Sequence, residues 1–152
     1  MHLDTDTFLS VVRHTPLVAI DLIARDPTGA VLVGRRTNRP ARDWWFVPGG
    51  RIYKNERLAD AFARITRDEL GASVAFDQAR LLGVYEHLYE DNFAGVDGVG
   101  THYVVLGYGL ALDHAPAALP RTQHRDYLWL TPDAMRARGD VHPNTLAYFT
   151  AR

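Results

Sequence analysis

Leu17 to Ala24 is an almost unbroken apolar run rich in Val, Ile and Leu, the pattern of a buried strand. Asp26-Pro27-Thr28-Gly29 has turn residues where a tight turn needs them, and Ala30 to Arg36 returns as a second strand, giving a hairpin. A polar loop over 37–43 leads into WWFVPGGRI, read as a short strand, a Pro-Gly-Gly break and another short strand. From Arg57 to Leu70 the apolar period changes to that of a helix, with Asn55 placed to cap its start and Gly71 its end. Two long strands follow, Arg80 to Tyr89 and Thr101 to Leu110, joined by a glycine-rich acidic loop. Asp126 to Leu130 is a late strand, Thr131-Pro132-Asp133 opens a short helix, and Asn144 to Thr150 forms another. The pattern predicts one α/β domain of the α+β type spanning 1–152, a mixed or antiparallel sheet around one dominant helix and shorter C-terminal helices.

The dominant helix contains an anomaly. At about 3.6 residues per turn, Leu58, Ala61, Phe62 and Ile65 form an apolar stripe, and Glu69 falls within it. It also lies at the helix C-terminus, where the macrodipole disfavours negative charge. An unpaired carboxylate there is costly. Either an arginine satisfies it, or the stripe ends early and Glu69 is wet, or it binds a cation. The surroundings favour the cation. Pro48-Gly49-Gly50 lets backbone approach a ligand, Glu56 begins the helix where the dipole favours an acid, and Arg64 can pair with Asp68 one turn on. A carboxylate, a backbone carbonyl and phosphate oxygens are the hard ligands Mg²⁺ prefers.

Composition narrows the field. A formal net charge of −1 offers no basic excess for nucleic acid. The absence of cysteine excludes disulfides, thiolate zinc sites and cysteine nucleophiles, and fits the cytoplasm. The N-terminal stretch contains acids and no long apolar run, so it does not read as a secretory leader, and no segment approaches a membrane span.

Gly50-x5-Glu56-x7-Arg64-x4-Glu69-x-Gly71 resembles the Nudix box, G-x5-E-x7-R-E-U-x-E-E-x-G-U, over Gly50 to Ala72. Two positions depart from it: Ile65 stands where a Glu follows the Arg, and Asp68 stands for the first Glu of the later pair. In ordinary Nudix pyrophosphohydrolases those carboxylates help hold several metal ions, so the departures imply fewer metals. Outside the box, TPLVAIDLI, GRRTNRPARDWWFVPGGRI, EHLYEDNFAG, THYVVLGY and QHRDYLWLT are similar to the GDP-mannose mannosyl hydrolase family in order and spacing. That resemblance implies a Nudix fold, a homodimer, and one divalent metal per site, Mg²⁺ with Mn²⁺ as its rival. It also implies displacement of GDP at the anomeric carbon of mannose with inversion; GDP-glucose is a second substrate to consider.

Matching positions imply that Glu69, a backbone carbonyl of Gly49 or Gly50, and Gln123 hold the metal together with diphosphate oxygens. Arg36 and Arg51 would neutralise the leaving diphosphate, since guanidinium stays charged and presents a fixed fork of donors. Arg35 is the rival of Arg36 and points to the other face of the strand. Tyr103 would add a hydrogen bond. His124, in a loop just before DYLWL, is the implied general base, with His87 second. Tyr85, His87 and Tyr89 alternate onto one strand face, either a polar aromatic surface for a sugar or a core-edge cluster. Asp21 interrupts an apolar strand and needs partners, sugar hydroxyls or an arginine. Trp44, Trp45 and Phe46 read as core. Two rivals stand beside the implied reaction: a diphosphohydrolase releasing GMP and sugar 1-phosphate, and a non-catalytic module that binds nucleotide sugars.

Overall fold

A computed structural model describes residues 2–113, 115–116, 119–120 and 124–150, Arg125 by its backbone alone. Leu17–Arg25 (β1) organises the molecule. On one edge it runs parallel to Thr101–Ala111 (β6), in register from Leu17↔Tyr103 to Arg25↔Ala111. Arg80–Tyr89 (β5) lies antiparallel beyond β6. On its other edge β1 has two successive partners. Gly49–Arg51 (β4) pairs with Ala19 to Asp21, whereas Val31–Arg36 (β2) meets β1 at Arg25, beyond the hairpin turn. Trp45–Phe46 (β3) and His124–Leu130 (β7) both pair antiparallel with β2. The sheet is thus mixed and forks beside Asp21, where β4 and β2 diverge.

Strand alternation sorts the β1 side chains. Ile20, Leu22 and Ala24 pack with Phe62, Ile65 and Leu70 of Leu58–Leu70 (α2). Ile23, Val31, Val33 and Trp45 pack on the opposite side with Met135 of Pro132–Ala137 (α3), Val141 and Tyr148. Pro143–Leu146 (α4) and the 3-10 turn Ala147–Phe149 complete that layer.

Thr5–His14 (α1) is an element to which the sequence reading assigned no structure. Asp4 caps it by accepting from the Thr7 N–H at 2.9 Å, and Phe8, Leu9, Val11 and Val12 pack against Leu17, Val99 and Tyr103. The capping acid and the helical spacing of those four residues were the available signal.

The strongest predicted helix is present with a corrected start. It begins at Leu58 after Arg57, and Asn55 sits at φ 70° in the preceding turn, where its side chain caps nothing. Glu56 precedes the helix too. Its carboxylate accepts from the Tyr53 N–H at 2.7 Å and takes Arg64 in a fork at 2.8 and 2.8 Å. Arg64 therefore pairs with Glu56 first and reaches Asp68 only at 3.8 Å. Leu58, expected in the buried stripe, is 41% exposed, and the buried residues of α2 begin at Ala61. Gly71 caps the end in the left-handed conformation. His124 begins β7 and lies opposite Arg36, so it belongs to a strand rather than a loop.

Candidate active site

At the fork lies a pocket of about 570 Å³. It is lined by Asp21, Arg36, Gly49, Gly50, Arg51, Glu69, His87, Tyr89, Tyr103 and His124, which the sequence had singled out one by one, while Tyr85 and Arg35 do not line it. Gln123 lies outside the described residues. Side chains from both faces of the sheet reach this space. Asp21 and Gly49 oppose each other on one face, while Gly50 packs over Ile65 on the α2 face.

Glu69 is 5% exposed, buried in the middle of the α2 stripe. Among the described residues no donor hydrogen-bonds to it; His124 Nε2 lies 3.7 Å from Oε2. Burial lifts its pKa from 4.5 to about 7, opposed by Arg36 and reinforced by Asp68 and Asp21. Ile65, where the box would hold another carboxylate, is 1% exposed and sealed in the core. Asp68 lines the pocket but is solvated and shared loosely, at 3.8 Å each, between Arg64 and Arg67.

The β1–β4 ladder fixes which glycine carbonyl the sheet leaves unused among the described residues. The Leu22 N–H donates to Pro48 O and the Ile52 N–H to Val18 O. The alternation of an antiparallel ladder then makes Ile20 and Gly50 the pair that exchanges hydrogen bonds. The Gly50 carbonyl is used in the sheet. The Gly49 carbonyl points to the other edge, the same edge on which the Arg51 carbonyl accepts from Arg64 at 2.8 Å. A buried unpaired carboxylate and a free carbonyl suit one hard divalent cation completed by ligand oxygens. No group of three His, Asp or Glu side chains gathers as a ready-made metal cage among the described residues.

Arg36, Arg51 and Arg64 line the pocket, Arg64 already engaged by Glu56. Arg36 donates from Nε to the Pro40 carbonyl at 3.0 Å and lies 5.8 Å from the Phe46 ring. Arg51 is held between Phe8 and Tyr53, 4.6 and 5.0 Å from their ring centres. Tyr53 in turn carries Arg64 at 3.8 Å on its ring. Phe8 comes from α1, so the element missing from the sequence reading builds part of the wall. Arg35 is turned outward to the Asp43 carbonyl.

His124 is 2% exposed, and burial with Arg36 nearby pushes its pKa down to about 4. It is therefore neutral at neutral pH. Its ring lies against Gly34: a Cβ there would fall 2.6 Å from ring Cγ and Nδ1. Nδ1 finds no hydrogen-bond partner among the described residues, and neither does Nε2 of His87, likewise pushed down to about 4 by burial. Tyr85 and Tyr89 share the inward face of β5 with His87, but Tyr85 packs on Tyr148 at 4.6 Å, outside the pocket. Phe46, read as core, both packs on His142 at 4.6 Å and lines the pocket.

The comparisons agree with this architecture. The chain is 41% identical over 109 residues to the low-salt glycan biosynthesis protein Agl8 of Haloferax volcanii, spanning 71% of this chain and 67% of that protein. Its fold is similar to the MutT protein from Methanosarcina mazei Go1 (TM-score 0.69, 15% identity, 90% of this chain and 92% of that one). It is also similar to the MutT NUDIX hydrolase from Burkholderia pseudomallei (TM-score 0.68, 23% identity, 89% and 96%). Residues 15–150 match the NUDIX domain, and with the forked sheet, the box helix and its buried Glu69 in place, the chain belongs to the NUDIX domain family.

Proposed function

We propose that this Nudix hydrolase splits a GDP-linked hexose, GDP-mannose first and GDP-glucose second, into GDP and free sugar by water attack at the anomeric carbon. The observation that carries the reading is the single buried carboxylate on the box helix: Glu69 faces the pocket, while the neighbouring box position is Ile65 in the core. One such carboxylate matches one cation placed to neutralise a leaving diphosphate, rather than a cluster placed to drive attack on phosphorus.

Nudix hydrolases generally use divalent metals such as Mg²⁺ or Mn²⁺. Here Glu69 and the Gly49 carbonyl would hold the ion, with Gln123 as a further ligand, and the ion would spread the negative charge of departing GDP. Arg36 and Arg51, reaching the same pocket from β2 and β4, share that task in a site where charge stabilisation is strong. Tyr103 donates a further hydrogen bond to the diphosphate. Asp21, His87 and Tyr89 hold the sugar. His124, kept neutral by burial, takes the proton from water as the C–O bond to water forms and the bond to GDP breaks. Agl8 is named for glycan biosynthesis, which accords with a sugar substrate. The same reading carries a cytoplasmic homodimer without a nucleic-acid or membrane partner; no helix among the described residues is long and apolar enough to cross a membrane.

One observation favours the rival diphosphohydrolase: Asp68 lines the pocket beside Glu69, a second carboxylate for a second metal. Hydrolysis of GDP-mannose in ¹⁸O-water with Mg²⁺ separates the two. Label in the sugar, released first as the β-anomer, supports attack at carbon. Label in GMP or sugar 1-phosphate overturns the mannosyl-hydrolase reading and leaves the family standing.

A further inference from the structure

Asp21 is held from far along the chain. The hydroxyl of Tyr148, 127 residues away in the C-terminal 3-10 turn, donates to Asp21 Oδ2 at 2.5 Å. The other carboxylate oxygen, Oδ1, occupies the space a Cβ at Gly49 would need. The Tyr148 ring is itself seated. It stands edge-on to Tyr85 with centroids 4.6 Å apart and lies 6.2 Å from His87. A Cβ at Gly107 would come within 2.9 Å of its Cε1. Two glycines flanking Asp21 on either side of β1, Gly49 on β4 and Gly107 on β6, thus clear room for the carboxylate and for the ring that grips it.

We propose that Tyr148 is a positioning residue: its hydroxyl occupies one oxygen of Asp21 and fixes the other toward a hydroxyl of the bound substrate. The C-terminal turn is then part of the specificity apparatus for a polyhydroxylated ligand. The assignment rests on the reading that Asp21 meets the sugar.

Tyr148→Phe removes only the hydroxyl and leaves the ring packing. Losing a hydrogen bond to the buried Asp21 carboxyl should lower kcat/KM for GDP-mannose about tenfold. Most of the loss should be in KM, because Asp21 binds sugar in ground and transition states alike. Inhibition by GDP alone should change less than about twofold, since GDP lacks the sugar that Asp21 meets. In an Asp21→Ala background the same substitution should cost less than about twofold, because coupled residues are not additive. Additive losses in the two backgrounds, or an equal fall in GDP affinity, overturn the positioning role in favour of plain structural support. A crystal structure of Tyr148→Phe gives an answer independent of turnover: Asp21 unmoved overturns the proposal, and Asp21 rotated or split between conformers supports it. If the wild-type protein turns over no GDP-sugar, the proposed function fails while that crystallographic result still decides the role of Tyr148.

Discussion

Replacing Glu69 by Gln should make the metal-free protein more stable while it destroys the metal response. Glu69 titrates near 4.5 when unfolded and near 7 when folded, because burial penalises its charge. A raised carboxyl pKa means the folded state binds the proton more tightly than the unfolded state. The penalty is therefore absent below about pH 4.5, grows between about 4.5 and 7, and is complete above 7. Holding Glu69 ionised at pH 8 costs about 3 kcal/mol. Glutamine keeps the volume and carries no charge, so Glu69→Gln recovers most of that amount. At roughly 2–4 °C per kcal/mol for a chain this size, melting in EDTA at pH 8 should rise on the order of 10 °C. At pH 5 the advantage should shrink below about 1 kcal/mol, because wild-type Glu69 is then protonated in the fold. Excess Mg²⁺ should stabilise the wild type by mass action and leave Glu69→Gln unmoved. Calorimetry at two pH values, with and without Mg²⁺, measures all of this. A lower melting temperature for Glu69→Gln in EDTA at pH 8, or an undiminished Mg²⁺ response, refutes the reasoning.

Arg36→Gln and Arg51→Gln should each lower kcat by roughly 10²-fold, the scale of losing one transition-state donor; a change confined to KM in steady-state kinetics would make them ground-state binders. His124→Gln should slow turnover by roughly 10²–10⁴-fold. Gly34→Ala should act in the same direction, because the added Cβ falls 2.6 Å from the His124 ring and must displace it. A near-normal rate for Gly34→Ala beside a crippled His124→Gln would mean the ring tolerates displacement.

The elements legible in the sequence were those whose own periodicity declares them. β1, β2, β5 and β6 were visible as runs, α2 as a stripe, and α3 by its Pro at the first turn. Pairing was less legible. Nothing local to Leu17–Arg25 or Thr101–Ala111 says that they run parallel over nine residue pairs, since that adjacency joins segments far apart in sequence. Boundaries failed where tertiary contact decides them. His124 enters β7 because Arg36 lies opposite it across a register shift. Leu58 continues the apolar stripe yet is wet, since burial on α2 begins only at Ala61. Asn55 had the right chemistry for a cap but sits in a left-handed turn that Glu56 and the Tyr53 N–H organise.

For the site, legibility followed violation of pattern. Glu69 in an apolar stripe and Asp21 in an apolar strand were each visible as a charge out of place, and both line the pocket. Residues that obey their local pattern gave no such sign. Phe8 completes an amphipathic face, yet it is also one of two rings enclosing Arg51. Tyr148 is an ordinary aromatic in a short terminal turn, yet it holds Asp21. The difference has a physical origin. A buried charge contradicts its neighbours in sequence because its partner comes from elsewhere, so the sequence records the need but not the supplier. The fork in the sheet brings the two together: where β4 and β2 part beside Asp21, the backbone leaves a space that Glu69 enters from one face and Tyr148 approaches from the other. A substitution that closed the fork would therefore disturb both acids at once, whereas loss of the Tyr148 hydroxyl would disturb Asp21 alone.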